Sequence, residues 1–125
     1  MESFLEHVNI TVGDPQATAE LLCRIFGWKI RWSGPAIHDG LTYHVGGENS
    51  YIAVYSLGGS GAAGNSYATL GGLNHVGVVV EDLDAVEAKV KATGLTPHSH
   101  ADYDPGRRFY FDDPDGIEYE VASYS

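Results

Sequence analysis

The chain has 125 residues, enough for one domain with a real core and too few for two independent ones. Its 17 acidic and 7 basic residues give a formal charge of −10, which repels phosphate backbones and excludes nucleic acid as an expected partner. No apolar run approaches the roughly 20 residues of a membrane helix, and the opening MESFLEHVNITV lacks the basic and long apolar regions of a secretion signal, so the expected location is cytoplasmic.

His7 to Val12 predicts a strand. Asp14-Pro15 predicts the helix start that follows, because an aspartate side chain caps free amides and proline suits the first helical position. Ala17, Leu21, Leu22 and Ile25 form its apolar stripe and Gly27 its stop. Cys23, the single cysteine, lies in this helix and reads as a structural thiol. Strands follow at about Lys29–Trp32, Leu41–Val45 and Tyr51–Ser56, and then Leu57 to Gly72, glycine-rich and without periodicity, reads as a linker or mobile loop. The same order recurs after it. His75 to Val80 is a strand, and Asp82 opens a helix with Leu83, Val86 and Val90 on one face and Asp84 and Glu87 spaced as a capping box. Gly94 is the stop, and the last strands are expected at about Thr96–His98, Arg108–Asp112 and Ile117–Ala122.

The recurrence reaches individual residues. With His7 over His75, Leu5 lies over Leu73, Val8 over Val76, Val12 over Val80, Asp14 over Asp82 and Ala17 over Ala85. One residue of slippage later, Gly27 lies over Gly94 and Tyr51–Ser56 over Glu118–Ser123, which puts Ala53 over Glu120. The chain is therefore expected to be one domain of class α+β, two βαβββ modules at about 4–56 and 73–123. Their curved mixed sheets would form a cup with the helices outside.

Strand alternation sorts the side chains. Val8, Ile10 and Val12, and Val76, Val78 and Val80, should meet the helices, leaving His7, Asn9 and Thr11 and their counterparts on the open faces. The same parity puts Tyr51, Ala53 and Tyr55, and likewise Glu118 and Glu120, on the open faces. Asp112 to Gly116, with Pro114 and Gly116, is a turn that pins the register of the last strand. Two imidazoles, His7 and His75, and the Glu120 carboxylate suit a divalent metal with open positions: Zn, Ni, Mn, Fe or Co.

These features resemble the vicinal oxygen chelate superfamily, which includes glyoxalase I, fosfomycin-resistance thiol transferases, extradiol dioxygenases and bleomycin-resistance proteins. The resemblance rests on LEHVNITV, LNHVGVVV and FYFDDPDGIEYE and covers nearly the whole chain. It implies a homodimer binding a small molecule, with metal ligands at His7, His75 and Glu120. A glyoxalase-like fourth ligand would fall at Ala53, so the chain looks more like the three-ligand members. The implied activity is that of a glyoxalase-like lyase or transferase chelating vicinal oxygens of its substrate. The alternatives are a metal-free drug-binding protein of the bleomycin-resistance type and, on a chain this short, less readily an extradiol dioxygenase.

Around the metal positions, Glu120 and Glu118 are the catalytic candidates, with Glu118 either a base or a carboxylate on an exposed rim. Arg108 shares parity with Tyr110 and is a candidate for holding an anionic group, while Tyr43, Tyr51, Tyr55, Tyr110, Trp32 and Asn9 are candidates for substrate contact. His98 and His100 are expected in a loop with Asp102, Tyr103 and Asp104, and Arg107 is expected to face solvent.

Overall fold

The first strand, β1 (His7–Thr11), alternates exposed and half-buried side chains, as a strand with one covered face must. In the computed structural model, which describes residues 1–59 and 61–125, it leads into helix α1 (Pro15–Phe26). The Asp14 side chain accepts from the Ala17 amide at 3.1 Å, Pro15 takes the first helical turn, and Gly27 closes the helix at φ 70°. The buried face of α1 is Thr18, Ala19, Leu22 and Ile25, not the expected stripe with Ala17 and Leu21; Ala17 is exposed. Cys23 is half-buried, and burial pushes its thiol pKa up, consistent with a structural role.

Three strands complete this unit: β2 (Lys29–Ala36), β3 (Gly40–Gly46) and β4 (Tyr51–Ser56). The sheet order is β1-β4-β3-β2, with β1 parallel to β4 and the other pairs antiparallel. β2 runs further than Trp32, because Ser33 to Ala36 keep pairing with β3 beyond the irregularity between Ile30 and Trp32. Val45, Ile52 and Val54 are fully or almost fully buried, and burial of each such side chain stabilises by roughly 1.5–3 kcal/mol.

The second unit repeats the plan. β5 (Val76–Val79), helix α2 (Leu83–Ala92), β6 (His98–Tyr103), β7 (Gly106–Asp112) and β8 (Glu118–Ser123) form a sheet ordered β5-β8-β7-β6, again with its first strand parallel to its last. Asp82 caps α2 through the Ala85 amide at 3.0 Å, and Leu83, Val86 and Val90 are buried. Asp84 and Glu87 do not form a capping box: Asp84 binds Arg107 at 3.0 Å and Glu87 takes His100 at 2.7 Å, both tying α2 to its own sheet. Thr93 occupies the C-cap and Gly94, at φ 90°, follows it. The two units, Met1–Ser60 and Gly61–Ser125, divide within the expected linker.

Register confirms the repeat independently of residue identity. Asn9 lies opposite Ala53 in one sheet and Gly77 opposite Glu120 in the other, so Ala53 and Glu120 are structural twins. His44 opposite Ala53 and Tyr110 opposite Glu120 extend the correspondence.

His98 and His100 are in β6 and not in a loop. A bulge between His98 and Ala101, with Ser99 at φ 55°, breaks the alternation between them. His98 stacks with Tyr110 at 6.2 Å, whereas His100 stacks with buried Phe109 at 6.0 Å and bonds Glu87. Nor is Leu57 to Gly72 featureless: Ser66–Ala68 form a 3-10 turn started by the Asn65 side chain, which accepts from the Tyr67 amide at 3.0 Å.

Candidate functional site

In the second unit, Phe109, Phe111, Tyr119 and Val121 are fully buried, which leaves Arg108, Tyr110, Glu118 and Glu120 on the opposite face. Glu120 accepts a hydrogen bond from the Tyr110 hydroxyl and lies 3.6 Å from the Arg108 guanidinium. Arg108 also lies over the Tyr103 ring at 5.3 Å and keeps a buried Nε with no hydrogen-bond partner among the described residues. Across the ladder from Glu120, Gly77 leaves open space where a Cβ would meet nothing within 4 Å. His75 precedes β5 and meets the Tyr110 ring edge-on at 5.6 Å. Glu118 is not a free rim carboxylate: it accepts from the Tyr67 hydroxyl at 2.7 Å and lies 3.5 Å from His75 Nδ1.

The equivalent face of the first unit is a run of rings. The His7 ring stacks on Tyr51 at 4.7 Å, His44 stacks on Tyr51 at 4.5 Å, and Trp32, half exposed, follows His44 at 5.2 Å. Arg31, displaced at the strand irregularity, reaches 4.7 Å from the Tyr51 ring centre. His44, given no role from sequence, is thus part of this surface; burial first, then His7 and Arg31, lower its pKa and favour the neutral ring. Asn9 is exposed opposite Ala53, and Ala53 is itself covered, at 4% exposure. Tyr55 is buried, with its hydroxyl donated to the Ile37 carbonyl, and Gly40 is bare because any Cβ there would strike the Tyr55 ring. Tyr43 pairs with buried Val54, which puts it on the apolar face and away from His44 and Tyr51.

Each unit therefore brings its own candidates together: His75, Glu118, Glu120, Tyr110 and Arg108 in one, His7, Tyr51 and Asn9 in the other. Among the described residues no three His, Cys, Asp or Glu side chains are grouped so as to hold a metal ion. Among them, too, no helix is long and apolar enough to cross a membrane.

The model of the glyoxalase/bleomycin resistance protein/dioxygenase superfamily matches residues 4–121. The chain belongs to that superfamily. No curated protein matches it significantly, but solved structures share its fold. A glyoxylase/bleomycin resistance protein/dioxygenase domain from Frankia sp. EAN1pec is 23% identical with a TM-score of 0.83, each chain covered to 98%. The fosfomycin resistance protein FosX from Listeria monocytogenes, solved with Mn(II) and sulfate, is 21% identical with a TM-score of 0.76, covering 100% of this chain and 95% of its own. FosX from Mesorhizobium loti is also 21% identical, with a TM-score of 0.72 and the same coverage. The α+β class and the two four-stranded mixed sheets are those of the superfamily.

Two further residues of this superfamily member escaped the reading of its sequence. Tyr67 is the lone aromatic of the glycine-rich segment, and that isolation was its only signal. Asp113 is buried inside the DPDG turn, accepting from the amides of Asp115 and Ile117 at 2.9 and 3.0 Å and from the Tyr119 hydroxyl at 3.2 Å. The second acid of an Asp-Asp pair before proline is a standard turn-former, so this role was available from sequence.

The tyrosines of this unit predict an alkaline transition. The hydrogen bond to Glu120, then burial, pushes the Tyr110 pKa from 10.0 up to about 12, and burial with nearby Asp113 pushes Tyr119 up as well. Both phenols stay protonated in folded and unfolded chains below pH 10, so their contribution is complete there. Above it the unfolded phenols ionise first, and stability falls as pH rises toward the folded values. Denaturant unfolding followed between pH 9 and about pH 12 should show this decline, and Tyr110→Phe should flatten part of it.

Proposed function

We propose that this chain is a divalent-metal-dependent enzyme of the glyoxalase type, acting as a lyase or transferase on a small molecule with adjacent oxygens. Its ligands are His7, His75 and Glu120, its two modules work as one domain, and the working form is a cytoplasmic homodimer. The observation that carries this reading is the open space opposite Glu120 at Gly77, on the same sheet face as His75. The donor set fits the group: two neutral imidazole nitrogens and one carboxylate suit a divalent ion with positions left for substrate. FosX, with the same fold, binds Mn(II).

A divalent cation held by these residues would supply Lewis acidity to the substrate. The chain's own residues do the rest. Tyr110 holds the Glu120 carboxylate by its hydroxyl, and the Arg108 guanidinium, 3.6 Å from Glu120, offers a donor to an anionic substrate group. Glu118, committed to Tyr67 and close to His75, serves the ligand and not the proton transfer.

Trp32, His44 and Tyr51 favour a second reading, in which an aromatic surface sequesters a planar drug or metabolite without metal. Elemental analysis of protein purified without chelator separates the two. The enzyme reading expects about one divalent ion per chain. Negligible metal after soaking with Mn, Ni, Zn or Fe would sink it. Stabilisation by an aromatic ligand, about 2.7 kcal/mol at a hundredfold excess over its Kd, would then support sequestration.

A further inference from the structure

A tyrosine hydroxyl has one proton to give, and an ionised carboxylate can only accept. Tyr67 gives its proton to Glu118 Oε1 at 2.7 Å. The same Tyr67 oxygen lies 3.3 Å from His75 Nδ1; with its proton committed it can only accept there, so in the neutral ring Nδ1 carries the hydrogen. Glu118 Oε1, 3.5 Å from Nδ1, is a second acceptor on that side. The lone pair is left on Nε2. The first unit reaches the same result with different residues. His7 Nδ1 lies 2.9 Å from Glu6 Oε1, Tyr51 gives its hydroxyl proton to that oxygen at 3.4 Å, and the Tyr51 ring stacks on His7 within 9° of parallel.

We infer that Glu118 with Tyr67, and Glu6 with Tyr51, are positioning residues that hold His75 and His7 as Nδ1–H tautomers, leaving Nε2 of each as the donor atom. For what Nε2 binds, this rests on the metal reading above; for the tautomer, it rests on hydrogen-bond geometry within each unit. A carboxylate behind a ligating imidazole fixes the ring and raises the basicity of the far nitrogen, and its loss typically weakens metal binding by about 10–100-fold. The repeat makes the coincidence informative. The histidines are twins, but Glu6 precedes the first strand of its unit, Glu118 lies in the last strand of the other, and Tyr67 comes from the intervening segment.

Long-range 1H–15N correlation spectra of the metal-free protein read each histidine's tautomer, and Mn(II) titration of the same samples reads affinity. Both histidines should show Nδ1–H in the wild type. In Glu118→Ala the Tyr67 proton is released to point at Nδ1, so His75 should switch to Nε2–H and Mn(II) affinity should drop about tenfold or more. Glu118→Gln keeps a carbonyl oxygen for Tyr67 and should restore the tautomer, a rescue that bulk structural damage would not give. Glu6→Ala should weaken Mn(II) binding similarly through His7. An Nε2–H His75 in the wild type, or an unchanged tautomer in Glu118→Ala, overturns the positioning role even if Mn(II) binds. Nδ1–H at both histidines with no Mn(II) uptake overturns the metal reading instead and leaves the positioning role standing.

Discussion

Asp113→Ala should cost the protein about 3–5 kcal/mol, enough to leave the second unit marginal. The Asp113 side chain is almost fully buried and satisfies two turn amides and the hydroxyl of Tyr119, a side chain with no exposed surface. Alanine removes this acceptor from all three donors, and each buried hydrogen bond lost costs about 0.5–1.5 kcal/mol, more where the acceptor is a carboxylate. Asp113→Asn keeps an oxygen for the two amides and should cost about 1–2 kcal/mol. Its penalty should also depend on pH. Burial raises the Asp113 pKa above the ordinary 3.8 despite the hydrogen bonds that oppose the shift. The wild type therefore has its full contribution from this group below that value and loses some as pH rises through the folded pKa, while asparagine does not titrate. The gap between wild type and Asp113→Asn should narrow on going from acid to neutral pH. Denaturant unfolding at both pH values checks each statement; an Asp113→Ala protein within about 1 kcal/mol of wild type would show that water replaces the carboxylate.

The repeat was legible in the sequence because a period is visible without knowing what each residue touches, and the register of β4 and β8 followed from it: Ala53 and Glu120 do occupy equivalent ladder positions. Parity carried Arg108, Tyr110, Glu118 and Glu120 to one face as expected. What failed was local. The turn of direction at Ser99 uses a positive φ at a residue that is not glycine, so nothing in the letters announces that His98 and His100 part company. Tyr43 was grouped by chemistry with Tyr51, but its pairing with Val54 puts it on the apolar face. Tyr67 was hidden for a different reason. Its place beside His75 and Glu118 depends on a short turn docking onto a sheet whose strands come later in the chain, and a segment without periodicity carries no sign of that.

Glu120→Gln should separate the two jobs of this carboxylate. As a ligand, Glu120 supplies the one anionic oxygen of the proposed set; a metal–ligand bond carries roughly 3 kcal/mol when the total is shared among ligands, so its loss should weaken binding about 100-fold. As a structural group, it accepts from Tyr110 and faces the largely covered Arg108 guanidinium at 3.6 Å. Gln retains an oxygen for Tyr110 and forfeits only the charge, so metal-free stability should fall by no more than about 1.5 kcal/mol. Glu120→Ala removes both, leaves the Tyr110 hydroxyl and Arg108 without this acceptor, and should cost about 2–4 kcal/mol in addition to the metal. Binding and stability should thus move together in the alanine variant and apart in the glutamine variant. Titration of Mn(II) beside denaturant unfolding of both proteins reads the two quantities. A glutamine variant that binds Mn(II) within threefold of a metal-binding wild type would remove Glu120 from the ligand set and leave it as the partner of Tyr110 and Arg108.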